Sequence, residues 1–230
     1  VQVPNASGQL AGNTPDSQWP FRPGFNLTVN PLSADQMLIS SISGRVFATT
    51  TRGTIWSEIG NPSALDGTEA QALAYGAPDP TPPGGGLGNL NNYIFAGTVG
   101  GRIYVTFTGG GGSGNQWTNL SGGLDGSPVK MIVTNPERGS HEAYAVTEKG
   151  VYHMADAQAG GSWQNITGNL FSIQQQQFNN PSLGLAAILK TLTSVQADWR
   201  YLIPNDFSNP GAGTHPMLYV GGEGGVFRSL

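Results

Sequence analysis

The chain has 230 residues, of which 35 are glycine and only 10% are charged; an average soluble domain has about 7% glycine and about 25% charged residues. A net charge of −4 with no basic block excludes a surface that tracks a phosphate backbone. The absence of cysteine excludes disulfides, thiolate nucleophiles and thiolate metal sites.

No apolar run approaches the roughly 18 residues of a membrane-spanning helix. Low charge with abundant Gly, Asn, Ser and Thr points to an exported protein, whether periplasmic, cell-surface or secreted. Val1 is not a start methionine, which fits removal of a signal peptide or a preceding domain. Asn-x-Ser/Thr sequons at Asn5, Asn26, Asn119 and Asn165 matter only if the source glycosylates.

In chain order, NTPDSQWPFRPG (Asn13 to Gly24) comes first, with Asp16 ahead of Trp19. From Val29 to Gly60 the chain reads as an apolar strand, a turn at Ser43-Gly44, a second strand starting Arg45-Val46-Phe47, a loop, and Trp56. The same order returns from Tyr93 to Leu124, with the turn Gly100-Gly101, the strand Arg102-Ile103-Tyr104 and Trp117. It returns again from Met131 to Leu170, with Lys149-Gly150, Val151-Tyr152 and Trp163. A fourth segment, Met217 to Leu230, reaches Gly224-Gly225 and Val226-Phe227. These runs are short, rich in Val, Ile, Phe, Tyr and Thr, and bounded by turn residues, which is the signature of strands. The turn glycines Gly44, Gly101, Gly150 and Gly225 are expected to supply the positive φ of tight hairpins. In RIYVTF, Ile103, Val105 and Phe107 alternate with Arg102, Tyr104 and Thr106, which predicts a strand with two unlike faces. The sequence allows short helical turns near Ser33–Gln36 and Ser63–Glu69, and its best longer helix is PSLGLAAILKTL (Pro181 to Leu192).

The four turn glycines lie 57, 49 and 75 residues apart, room for a four-stranded sheet plus loops. A repeat of that size and fixed order predicts an all-β fold, a β-propeller of four-stranded antiparallel blades. The alternative is an irregular β-sandwich, which has no reason to repeat the order strand, glycine turn, strand, loop, Trp. The blades are expected at about 25–60, 70–124, 127–170 and 193–230, with insertions at 78–92 and 171–192.

The repeat resembles the BNR or Asp-box propellers of sialidases, sortilin-like receptors, xyloglucan-degrading glycosidases and photosystem assembly factors. Their motif is Ser-x-Asp-x-Gly-x-x-Trp. TTTRGTIW (Thr49 to Trp56) fits it with Thr49 for Ser and Thr51 for Asp. TGGGGSGNQW (Thr108 to Trp117) keeps glycines and the Trp, and MADAQAGGSW (Met154 to Trp163) keeps Asp156, Gly160 and Trp163. The resemblance implies a structural turn in which the Asp binds local backbone and the Trp packs between blades. Trp56, Trp117 and Trp163 are then core residues. The family also implies Asp-Gly-Gly beyond VFRS and one further residue, a slot Leu230 fills. Two readings of the fourth blade stay open: residues 13–24 supply its last strand and close a four-blade ring, or the chain is part of a propeller of six to eight blades.

The chemistry is sparse. A sialidase needs an arginine triad, and Arg45 and Arg102 occupy matching blade positions, as repeat features do. A glycosidase needs two carboxylates about 5 to 9.5 Å apart, and no spacing pairs any two of Asp35, Asp66, Glu69, Asp79, Asp125, Asp198 and Asp206. Asp35 and Glu137 read as turn caps. His141, His153 and His215 share no ligand spacing, and the glycine runs lack the Lys-Ser/Thr ending of a phosphate loop. No metal, cofactor or catalytic residue is expected. The candidate contacts are Trp199, Arg200 and Tyr201 in ADWRY, a composition favoured at interfaces, together with Leu185, Ile188 and Leu189 in the second insertion. The function expected is a non-catalytic scaffold that binds a protein, or a glycan, as a subunit or domain of a larger exported assembly. The alternative is a fragment of a glycosidase-like propeller acting on polysaccharide.

Overall fold

Short β-branched and aromatic runs punctuated by glycine favour antiparallel hairpins over helices. The computed structural model describes residues 27–80, 90–171 and 190–229, and shows an all-β propeller. The first blade is β1 (Thr28–Asn30), β2 (Ser33–Ser40), β3 (Val46–Thr49) and β4 (Ser57–Gly60). The second is β5 (Ala72–Tyr75), β6 (Ile94–Gly97), β7 (Ile103–Gly110) and β8 (Gln116–Asn119). The third is β9 (Val129–Thr134), β10 (Ala143–Thr147), β11 (Val151–Met154) and β12 (Gln164–Asn165). The fourth holds three strands among the described residues: β13 (Leu192–Pro204), β14 (Thr214–Gly222) and β15 (Gly225–Arg228). In every blade the strands pair antiparallel in chain order.

Three apolar clusters join successive blades. Leu38 and Val46 of the first blade meet Leu73, Ile94 and Tyr104 of the second. Phe95, Ile103 and Val105 of the second meet Val129, Tyr152 and Trp163 of the third. Tyr144, Val146 and Val151 of the third meet Val195, Leu218 and Val220 of the fourth. No cluster joins the fourth blade to the first among the described residues.

Stacking explains where the strand expectations needed correction. In β7, Ile103, Tyr104, Val105 and Thr106 are all buried, not alternately. A blade between two others is covered on both faces, so Ile103 and Val105 serve one interface and Tyr104 the other. Ser33–Gln36 is not helical but begins β2, where pairing with β1 and β3 overrides local preference. Residues 63–69 form turns, with Asn61 Oδ1 accepting from the N–H groups of Ser63 and Ala64. Of the expected 181–192 helix, residues 181–189 lie outside the described residues, and Leu192 opens β13.

The blade turns use glycine unequally. Gly44 and Gly101 both sit at φ +77°, in the left-handed region that favours glycine, and Gly225 is at +146°. Gly150 is not at positive φ: its turn is held instead by Thr147 Oγ1, which accepts from the N–H groups of Lys149 (3.2 Å) and Gly150 (3.0 Å).

A second repeat packs these turns. Leu65-Asp66-Gly67-Thr68 and Leu124-Asp125-Gly126-Ser127 are the loops entering the second and third blades. Asp66 Oδ1 accepts from the N–H (3.0 Å) and hydroxyl (2.7 Å) of Thr68, and Asp125 Oδ1 accepts likewise from Ser127 (3.0 and 2.8 Å). The other oxygen of each reaches a turn of the blade it enters: Thr98 donates to Asp66 at 2.6 Å and Thr147 to Asp125 at 3.4 Å.

Candidate functional site

At the opposite end of the blades lie the β5–β6, β9–β10 and β13–β14 loops and the turns that resemble Asp boxes. In the first blade Thr49 Oγ1 accepts from the N–H groups of Thr51 and Gly53, both at 3.1 Å, and Thr51 Oγ1 accepts from Ile55 N–H at 2.9 Å. In the second, Thr106 Oγ1 accepts from Thr108 (3.2 Å) and Gly110 (2.9 Å), so the turn begins two residues before the Thr108 start read from the sequence. In the third, Asp156 Oδ1 accepts from Gln158 (2.9 Å) and Ala159 (3.1 Å). Threonine hydroxyls thus serve where the Asp is missing, since either group accepts from nearby N–H groups. Trp56 and Trp163 are 6% and 2% exposed, and Trp117 is half-buried.

The most irregular feature of this end is in β13. Asp198 pairs with Met217 and Leu202 with Pro216, so Trp199, Arg200 and Tyr201 have no partners and bulge from the sheet. Pro216 has no N–H to give the ladder, which accounts for a bulge opposite it. Trp199 turns inward, with its ring 5.6 Å from that of Tyr144. Arg200 points outward with its side chain 92% exposed, and its Nε donates to Asp198 at 3.2 Å. This bond and one from the Arg200 N–H hold the Asp198 carboxyl below its ordinary value. Tyr201, Leu202 and Phe207 are 59%, 56% and 72% exposed. Phe207 rides on a turn in which Asp206 Oδ1 accepts from the N–H and hydroxyl of Ser208. Leu185, Ile188 and Leu189 lie outside the described residues.

Behind the bulge, clefts of about 490 and 510 Å³ meet at Glu142. Glu142 Oε1 lies 2.9 Å from His153 Nε2, and Oε2 accepts from Asn135 Nδ2 at 2.8 Å. Tyr144 stacks on His153 with centroids 4.7 Å apart. Partial burial pushes the Glu142 carboxyl up, but bonds from His153 and Asn135, the charge of His153 and the Tyr144 hydroxyl outweigh it and hold the group below its ordinary value. Its stabilising contribution is therefore complete above the unfolded carboxyl range and is lost as pH falls through the lower folded value. Near neutral pH, Glu142→Gln is expected to reduce unfolding free energy by about 1 to 2 kcal/mol, with the difference vanishing in acid. Urea melts of both proteins across pH check this.

Other polar side chains have structural partners. Asp35 is not a turn cap but lies within β2 and pairs with Arg52. At Glu137 the cap is Asn135, whose Oδ1 accepts the Glu137 N–H at 2.9 Å. Arg45 binds Glu58 at 2.7 Å. His141 meets Asp156 at 3.4 Å and packs edge-on against Tyr93 and Phe107, and His215 Nδ1 donates to the Pro216 carbonyl at 2.9 Å. The β5–β6 loop is tied to the third blade, with Gly139 N–H donating to Pro78 O and Arg138 to Asp79 O.

No family model matches the chain, and no curated protein matches it. Solved propellers do. A structure of YCF48 bound to D1 peptide aligns with 96% of this chain at 16% identity and TM-score 0.50, and this chain covers 54% of that one. U3-55K aligns with 98% of this chain at 11% identity and TM-score 0.51, covering 55% of its own length. A GH74 enzyme from Niastella koreensis aligns with 88% at 19% identity and TM-score 0.47, covering 29%. The chain thus spans about half of the first two and less of the third. The likeness to the first two is one of fold.

Proposed function

We propose that this chain is a non-catalytic binding propeller with degenerate Asp-box repeats, a module of an exported assembly, and that its bulged strand captures an extended segment of a protein partner. The observation that carries this reading is the β13 bulge, which presents Arg200 and Tyr201 beside Leu202 and Phe207 above two clefts. Exposed aromatic and arginine side chains on a rigid sheet lose little entropy when they bind. Asp198, already bonded to Arg200, pre-sets the guanidinium. Asp156, Asp206, Glu142 and Asp198 at this end are held in turns and ion pairs, which supports binding over hydrolysis. Peptide capture is a use of this fold in the YCF48 structure.

Selection from a random peptide display library tests the reading. Selected peptides are expected to bind with Tyr201→Ala and Arg200→Ala each weakening affinity about 10-fold or more, at unchanged melting temperature. Failure to select any binder, or binders indifferent to both substitutions, would overturn it.

A further inference from the structure

Two clefts flank the β13 bulge and share a wall. One of about 420 Å³ includes Gln196, Asp198 and Tyr219, and one of about 490 Å³ includes Glu137, Glu142, Leu202 and Pro216. Pro136, Trp199 and Arg200 line both, so together the clefts form one groove across the bulge. Rings make up much of its surface: the indole of Trp199, the half-exposed phenol of Tyr219, and the pyrrolidines of Pro136 and Pro216.

The donors this groove can give a ligand are side chains. Arg200 N–H is taken by Asp198 Oδ1 at 3.2 Å, Asn135 N–H by the Glu142 carbonyl at 3.0 Å, and Glu137 N–H by Asn135 Oδ1 at 2.9 Å. Pro136 and Pro216 have no N–H. The indoles of Trp117 and Trp163 donate to carbonyls of the preceding blade, at 2.6 and 2.7 Å. Trp199 Nε1 donates to nothing among the described residues, and it is not a buried orphan as Trp56 Nε1 is. The charge of the lining is negative: Glu137, Glu142 and Asp198 stand against Arg200, which is already bonded to Asp198.

We infer that the segment captured at the bulge is proline-rich, lies in the polyproline II conformation and carries a basic residue. This deepens the binding reading above and rests on it. A strand added to a sheet edge is held by main-chain hydrogen bonds, and β13 breaks its ladder at residues 199–201. A polyproline II helix needs no ladder: it has no internal hydrogen bonds and its carbonyls stay open. Its prolines also bring no N–H that asks for an acceptor. Such a ligand matches walls whose donors are an indole and a guanidinium, and proline rings pack on aromatic surfaces of this kind. In the complex, prolines fill the clefts on either side of Trp199, and Trp199 Nε1 donates to a ligand carbonyl. A lysine or arginine of the ligand meets Glu137.

Two labelled synthetic peptides of equal length, each with a central arginine, test this by fluorescence anisotropy. One is otherwise all proline and the other alternates threonine and valine. The proline peptide is expected to bind at least ~10-fold more tightly, since it is already ordered as it binds. Trp199→Phe keeps a ring and removes the N–H, and is expected to weaken that peptide about 5-fold. Glu137→Gln is expected to weaken it about 2- to 5-fold and to leave an all-proline peptide unaffected. Glu137 is exposed, so this second variant keeps the test open if Trp199→Phe fails to fold. Equal or tighter binding of the threonine-valine peptide overturns the inference, as does a proline peptide indifferent to both substitutions. Binding of neither peptide overturns it too, and the library selection then separates the two readings: binders without proline leave peptide capture standing, and an absence of binders ends both.

Discussion

Replacing Trp163 with alanine is expected to destabilise the protein by about 4 kcal/mol, in the range for buried aromatic truncations. The side chain is 2% exposed and packs in the cluster that joins the second and third blades. Two losses combine there. The cavity removes contacts with both blades, and the Leu120 carbonyl loses its indole donor. Trp163→Phe separates them: it keeps most of the volume and is expected to cost about 1 to 2 kcal/mol for the bond and partial repacking. Urea unfolding monitored by circular dichroism gives both values. Equal losses in the two variants would show that packing around the indole contributes little.

The repeat order was legible because glycine turns, β-branched runs and a trailing Trp are local signals. Three blades show that order in full, each as a four-stranded antiparallel sheet. What was not legible depends on partners distant in sequence. Ser33-Ala34-Asp35-Gln36 carries cap-like residues that mimic a helix start, and only the pairing of their strand with β1 (Ser33 with Asn30, Met37 with Val29) and β3 (Met37 with Thr49) makes it strand. The alternation in RIYVTF was real, but both of its faces found apolar neighbours. Leu-Asp-Gly-Thr/Ser occurs twice, but the turns its carboxylates bind, through Thr98 and Thr147, lie more than twenty residues away in the chain. In ADWRY the composition pointed to the surface, but the bulge arises from register against Pro216, about fifteen residues away, which no local pattern announces.

The same two repeats define the second large effect. Gly101→Ala is expected to destabilise by at least about 3 kcal/mol, while Gly126→Ala, its packing partner, costs only about 1 to 2 kcal/mol. Both glycines have left-handed φ, +77° and +78°, so both substitutions carry the conformational penalty. They differ in space. A Cβ on Gly101 would stand 2.1 Å from the Gly126 carbonyl oxygen, whereas a Cβ on Gly126 meets nothing within 4 Å. The oxygen belongs to backbone held between Asp125 and Ser127, so the loop cannot yield without breaking its own bonds. Gly44 repeats the arrangement, its Cβ position 2.7 Å from the Thr68 carbonyl oxygen. The turn of one blade is thus pressed against the loop that enters the next. Thermal melts of the two alanine variants measure the difference. A Gly101 variant no worse than the Gly126 variant would show that the loop moves freely, and that the turn end does not fix the spacing between blades.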